Sequence, residues 1–180
     1  MGAATKPWTA DELGRLPDGW RYEIDAGELV IMSPGSFRHS AVLVAVAATL
    51  RTFVQGQNRG KVIGGEFGFL VHRNPDTLRG VDVAFYSTAR LGQLGDPSGF
   101  SDVPPDLAVE VHRSSDADLL RKIQQYLDVG VRSVWVVDPE ACTWTRHQAG
   151  VDPVTLTDPA SMVTDAVLPG FTCPLSAFFE

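Results

Sequence analysis

The chain has 180 residues, 44% of them hydrophobic and 21% charged, which is enough apolar material for the core of about one domain and too much for a disordered chain. Its 17 glycines and 12 prolines fall at scattered turn-like positions, so collagen-like and low-complexity organisation are excluded. The formal net charge is -7; no general basic field draws a polyanion to the whole surface, and a nucleic-acid partner requires a local basic patch or bound cations.

Thr9 with Glu12 three residues later forms the capping pattern of a short helix over Ala10 to Arg15, stopped by Pro17 and Gly19. Tyr22 to Ile24 and Leu29 to Met32 flank Asp25, Ala26 and Gly27 as a hairpin. From Phe37 to about Val54 the chain is dense in Ala, Val and Leu without Gly or Pro, which predicts a helix buried on most sides and ended by Gly56. Three strand-like runs follow, Lys61 to Val71, Val81 to Tyr86 and Leu107 to His112, separated by turn-rich His72 to Gly80 and Gly92 to Pro105. Ser115-Asp116-Ala117-Asp118 is a capping box opening an amphipathic helix through Leu119, Leu120, Ile123, Tyr126 and Leu127, closed at Gly130. Val134 to Val137 is a continuous apolar strand of the kind covered on both faces. The core order is helix, three strands, helix, strand. The last 40 residues predict a peripheral hairpin around Thr143 to Thr145 and Thr155 to Leu156, then a docking tail from Leu168.

Cys142 and Cys173 match neither a zinc pattern nor a disulfide framework, as suits a reducing cytosol. The start lacks the apolar core of a secretory signal. The longest apolar stretch, Ala41 to Leu50, is shorter than the roughly 18 residues that span a bilayer. A cytoplasmic, one-domain protein with no membrane partner is expected.

Alternation sets Val81, Val83 and Phe85 on one face of their strand and Asp82 on the other, beside Ala84. In the next strand Leu107, Val109 and Val111 share a face, and Glu110 and His112 project opposite. Burying an ionised carboxylate costs several kcal/mol unless it is paired or metal-bound. Two core-like strands with one carboxylate each therefore call for a cation, and hard oxygen ligands suit Mg²⁺ or Mn²⁺ and phosphoryl chemistry. On the following helix, Lys122 lies at the edge of the apolar stripe and can reach back toward the sheet, while Arg121 faces water. Paired structural carboxylates satisfied by arginines are the plainer alternative.

Other motifs carry less. Gly64-Gly65-Glu66-Phe67-Gly68 fits neither phosphate-loop spacing and suggests a bulged, bent strand. No G-x-S-x-G elbow frames a serine nucleophile. Arg51, Arg59, Lys61, Arg73, Arg79 and Arg90 are spread through the first half, as a phosphate-contacting rim or as plain surface charge.

The order Asp82, then Glu110-Val111-His112, inside a helix-strand-strand-strand-helix-strand core, resembles the PD-(D/E)XK nuclease superfamily. The resemblance is closer to its Uma-type (Uma two) restriction endonuclease branch. It is carried by Tyr22-Glu-Ile-Asp-Ala-Gly-Glu-Leu29, Ser33-Pro34, Arg38-His39, Val81-Asp-Val-Ala-Phe85 and Pro105-Asp-Leu-Ala-Val-Glu-Val111. Lys122 with Tyr126, Gly130-Val131, Val134-Trp-Val-Val-Asp-Pro139 and Leu168-Pro-Gly-Phe171 extend it over nearly the whole chain.

The resemblance implies a restriction-endonuclease-like α/β fold, with a mixed central sheet flanked by helices. It also implies a Mg²⁺ or Mn²⁺ ion on Asp82, Glu110 and the backbone carbonyl of Val111, with DNA as substrate and homodimers that cut both strands. Lys122 becomes the candidate for the superfamily lysine, because His112 stands where that lysine is usually found; His112 is the other catalytic candidate. Val81 replaces the superfamily proline. Glu23 and His39 border the same site, or are a hairpin charge and a helix-terminal polar residue. A catalytically silent nucleic-acid-binding or assembly module of the same fold is the alternative function.

Overall fold

A computed structural model of the chain describes residues 6–16, 21–96, 98–112 and 117–180. Helix α1 (Ala10–Leu13) starts on the expected capping box: the Thr9 side chain accepts from the Glu12 N–H, and the Glu12 carboxylate accepts from the Thr9 N–H. It is one turn, shorter than the run to Arg15; Pro17 and Gly19 lie outside the described residues. Strands β1 (Arg21–Asp25) and β2 (Glu28–Met32) form the expected hairpin. Ala26 and Gly27 turn it with φ of 49° and 83°, the twist that a two-residue hairpin loop requires.

Helix α2 (Phe37–Gln57) is capped by Ser36, passes through Gly56 and ends at Asn58 with φ 50°. Gly56 does not end it; asparagine takes the left-handed cap instead. Nor is α2 buried on most sides. Val42, Val46, Leu50 and Val54 form one buried stripe, while Phe37 and Val44 are exposed. Its length and hydropathy match a membrane span, yet that stripe is committed to the sheet.

Strands β3 (Gly60–His72) and β4 (Thr77–Ser87) pair antiparallel, with β4 starting inside the segment expected as turn. A short helix α3 (Thr88–Leu91), unforeseen, follows. Then come β5 (Leu107–Val111), α4 (Ala117–Asp128) and β6 (Ser133–Asp138). Ser115 and Asp116 of the predicted capping box lie outside the described residues. The hairpin β7 (Thr143–Gln148) and β8 (Val151–Leu156) extends the main sheet, and β9 (Met162–Val163) pairs with β10 (Cys173–Pro174) before a final 3-10 turn, Leu175–Phe178.

The main sheet runs β2-β1-β4-β5-β6-β7-β8, with β3 also on β4. Pairing of β5 with β6 is parallel, bridged by α4, and the remaining pairs are antiparallel, so the sheet is mixed as expected. One face carries α2 and the C-terminal tail: the α2 stripe packs with Val83, Phe85, Leu107, Val109, Trp135, Phe171 and Phe178. The tail docks on the sheet as expected and becomes part of this core. The other face carries α4, whose Leu119, Ile123 and Tyr126 meet Ala84, Tyr86, Ala108, Val134 and Val136. Val81 departs from the expected alternation and joins this second cluster. Each fully buried Val, Leu or Phe contributes about 1.5–3 kcal/mol to such cores.

Candidate active site

The sheet forks at β4. Because β3 lies along one edge of β4, β1 and β5 share the other; β1 pairs at Leu78 and β5 from Val83 to Phe85. Between them the backbone groups of β4 need partners other than a ladder. The Gly80 N–H donates to Glu23 Oε1 at 2.9 Å, and the Gly80 carbonyl accepts from Lys122 Nζ at 2.8 Å. On the opposite edge β3 bulges, as its glycines suggested: Gly64 faces Val83 and Phe67 faces Val81, leaving Gly65 and Glu66 against Asp82 alone. Gly65 has φ 92°, a conformation open to glycine. Asp82 stands where β4 is loosened on both sides.

Asp82 and Glu110, from neighbouring strands, are both buried. Both oxygens of Glu110 are engaged: Oε1 accepts from the Tyr126 hydroxyl at 2.9 Å, and Oε2 lies 3.0 Å from Lys122 Nζ. Tyr126 is one helical turn after Lys122 on α4, so both reach the same carboxylate. Lys122 Nζ also lies 3.0 Å from Glu23 Oε1. Two carboxylates, Glu110 and Glu23, share one ammonium, and the protons of the cluster respond. Burial, with the charges of Asp82 and Glu23, pushes Glu110 up to about 7 against the pull of Lys122. Burial pulls Lys122 down, but Glu110 and Glu23 outweigh it and hold the ammonium above its ordinary value. Tyr126 is raised well above its usual range by burial and by Glu110.

His39 enters from the first turn of α2, where its backbone N–H donates to the Ser36 cap. Its Nδ1 is 2.8 Å from the Val111 carbonyl oxygen, and its Nε2 is 3.6 Å from Asp82 Oδ1. The Val111 N–H donates to the other oxygen, Asp82 Oδ2, at 2.8 Å. Gly35 makes room for the imidazole, since a Cβ there would lie 2.6 Å from His39 Cδ2.

Around this centre, Arg79 Nη1 donates to Glu23 Oε2 at 3.1 Å, its Nη2 lies 2.7 Å from Asp25 Oδ1, and its Nε donates to Gln125. Arg121 lies 2.7 Å from Asp25 Oδ2; it was expected to face water, and although mostly exposed it closes this ring. Burial pushes Glu23 and Asp25 up, but Lys122 with Arg79 for the first, and Arg79 with Arg121 for the second, hold both below the ordinary carboxylate value.

Glu23, His39, Asp82, Glu110, Val111, His112 and Lys122 line one open cleft of about 760 Å³. Every residue expected at the site therefore reaches one cleft. His112 lies just beyond β5, its N–H bonded to the Val137 carbonyl at 3.1 Å. Of the scattered basic residues only Arg79 enters. Arg59 donates to the Pro169 carbonyl, Arg73 pairs with Asp76, Arg90 ties the Pro104, Pro105 and Gly130 carbonyls together, and Arg51 and Lys61 are exposed. Arg79 was expected only as one of the scattered basic residues, and the sequence assigned no site role to Asp25, Gln125 or the polar end of Tyr126. Its spacing of four from Lys122 was the available signal.

Among the described residues no three His, Cys, Asp or Glu side chains form a ready-made metal cage. What the cleft offers is hard carboxylate oxygens in excess of their local cations, open to solvent on one side. That donor set fits Mg²⁺ or Mn²⁺, ions that keep water and accept phosphate oxygens as further ligands.

Comparison with known proteins gives a family and a fold. Residues 10–176 match the model of the Uma2 family, described as "Putative restriction endonuclease". No curated protein matches. Among solved structures the chain is similar to that of "a putative nuclease belonging to DUF820 from Anabaena variabilis ATCC 29413", with a TM-score of 0.79 and 18% identity over 96% of this chain and 98% of that one. At that identity the likeness shows the fold, which is restriction-endonuclease-like. The matched span runs from α1 to the final 3-10 turn and contains every residue of the cleft described above, so the chain belongs to the Uma2 family.

Proposed function

We propose that this protein is a metal-dependent endonuclease that hydrolyses DNA phosphodiester bonds. The observation that carries the reading is the meeting of Asp82, Glu110 and Lys122 at the fork of the sheet, in an open cleft. Asp82 and Glu110 would hold the Mg²⁺ or Mn²⁺ ion; the Val111 carbonyl, which the family resemblance implies as a third ligand, is 2.8 Å from His39 Nδ1. When bound, the ion screens the scissile phosphate and lowers the pKa of a water nucleophile.

The chain's own groups do the rest. Lys122, held charged between Glu110 and Glu23, stabilises the negative charge that builds on the phosphate oxygens. Tyr126 orients Glu110 through its hydroxyl. Arg79 fixes Glu23, and Glu23 in turn fixes Lys122. His112 lines the same cleft and is the alternative proton acceptor. Because the overall charge is -7, DNA affinity comes from the ion and the cleft rather than from a basic surface.

A plasmid-nicking assay with Mg²⁺ and Mn²⁺ tests this. The expected result is cleavage that chelation abolishes and that falls at least about 100-fold in Glu110→Gln. Retained cleavage in folded Glu110→Gln rejects the site. DNA binding without cleavage under any divalent metal replaces the reading with a catalytically silent nucleic-acid-binding module.

A further inference from the structure

His39 has one ring nitrogen whose role is fixed and one whose role is not. A backbone carbonyl only accepts hydrogen bonds, so Nδ1, 2.8 Å from the Val111 oxygen, carries a proton and donates. In the neutral ring Nε2 then presents a lone pair, and it faces Asp82 Oδ1 across 3.6 Å. That separation exceeds a hydrogen bond. Two lone pairs facing one another repel unless something positive lies between them.

We propose that His39 Nε2 is a direct ligand of the divalent ion, paired with Asp82 Oδ1, and that the Val111 carbonyl positions the ring rather than binding the metal. The proposal rests on the metal-dependent reading above and says which atoms do the binding.

Three observations support it. First, metal-bound histidines characteristically donate their other N–H to a backbone carbonyl or carboxylate, which fixes tautomer and orientation; the Val111 carbonyl does this for His39. Second, the spacing is within reach of one ion. Adjacent ligand atoms about 2.1 Å from an octahedral ion stand about 3.0 Å apart, so the two atoms, 3.6 Å apart, need only a small closing movement to share it. Third, the pair is fixed from both sides. Asp82 Oδ2 is occupied by the Val111 N–H, leaving Oδ1 for the cleft, and Val111 thus orients both members of the pair through its two backbone groups. Gly35 leaves the space that the imidazole edge fills.

A nitrogen donor changes selectivity. Imidazole favours transition ions over Mg²⁺, so the site binds Mn²⁺ more tightly than Mg²⁺ and owes that preference to His39.

The test is Mn²⁺ titration by calorimetry with pulsed electron paramagnetic resonance of the loaded full-length protein, on wild type, Asp82→Asn, His39→Gln, His112→Gln and Gly35→Ala, each checked for folding by circular dichroism. Expected are imidazole nitrogen modulation on Mn²⁺ in wild type, its loss in His39→Gln with at least about tenfold weaker binding, and its persistence in His112→Gln. Gly35→Ala keeps the imidazole but displaces it, and weakens Mn²⁺ binding without unfolding the chain. Modulation that vanishes in His112→Gln instead, or Mn²⁺ binding without nitrogen modulation, overturns ligation by His39 and leaves the metal reading standing. No Mn²⁺ binding in wild type, or unchanged binding in Asp82→Asn, overturns the metal reading and this proposal with it.

Discussion

Lys122 Nζ lies 3.0 Å from Glu110 Oε2, joining a residue of α4 to one of β5 twelve positions earlier in the chain. Both side chains are almost wholly buried, so the pair is desolvated and neither partner can be removed without leaving an unmatched charge. Lys122→Met leaves Glu110 and Glu23 buried without their shared cation. The expected loss is about 3 kcal/mol in urea unfolding, together with loss of nicking under conditions where the variant is still folded. A Lys122→Met protein as stable as wild type shows that the ammonium is not the counter-charge of the cleft.

Asp82 separates structure from chemistry. Its Oδ2 accepts the Val111 N–H, and an asparagine oxygen can accept the same bond. Asp82→Asn is therefore expected to melt within a few degrees of wild type while losing divalent-metal binding in calorimetry. Asp82→Ala also orphans the Val111 N–H and costs about 1–3 kcal/mol more. Equal metal affinity in wild type and Asp82→Asn removes Asp82 from the ligand set.

The features legible in sequence were those written in local periodicity. The hairpin turn at Ala26-Gly27, the capping box at Thr9 and the order of the core elements depend on residues a few positions apart. The two carboxylates on neighbouring core strands, Asp82 and Glu110, and the reach of Lys122 from beside the apolar stripe were legible too, but the side Asp82 takes was not, because the bulge opposite it sets Val81 and Val83 in different clusters. The fork at Gly80 was not legible, because its backbone groups are satisfied by Glu23 and Lys122, which lie 57 and 42 positions away. Arg79 resembled any other arginine until β1 brought Glu23 and Asp25 to it. The end of α2 misled for a local reason: glycine is the commoner left-handed cap, but Asn58, two residues later, adopts that conformation here.

The Arg79 ring predicts a stability effect away from the reacting groups. Arg79 is buried and pairs with both Glu23 and Asp25. Arg79→Met leaves buried Glu23 short of a cation and Asp25 with Arg121 alone, with an expected cost of about 3 kcal/mol and weaker positioning of Lys122 through Glu23. Guanidinium denaturation of the variant measures the first effect. Nicking at saturating metal measures the second, and a change in rate with no change in metal affinity is expected.

Asp25 gives a pH dependence whose sign follows from its partners. Arg79 and Arg121 hold its carboxyl below the ordinary value despite burial, so its folded pKa lies below the unfolded value of about 3.9. The stabilisation is complete above the unfolded pKa and is lost as pH falls through the folded one. Wild-type urea midpoints are expected to drop on acidification below about pH 4. Asp25→Asn, less stable at neutral pH, loses less over the same interval. Parallel pH profiles for the two proteins show that Asp25 is not a source of the acid sensitivity.

The two cysteines should differ in reactivity, because thiol exchange and alkylation require the thiolate. Cys142 is exposed, at a turn with φ 53°. Cys173 is buried in the α2-side core, and burial pushes its thiol up to about 11. At pH 8 a disulfide reagent is expected to consume one equivalent rapidly, all of it at Cys142 by peptide mapping. The second equivalent appears only as the C-terminal tail leaves the sheet, so its rate reports opening of the segment carrying Phe171 and Phe178. Rapid labelling of Cys173 in the folded protein contradicts the packing of that tail against α2.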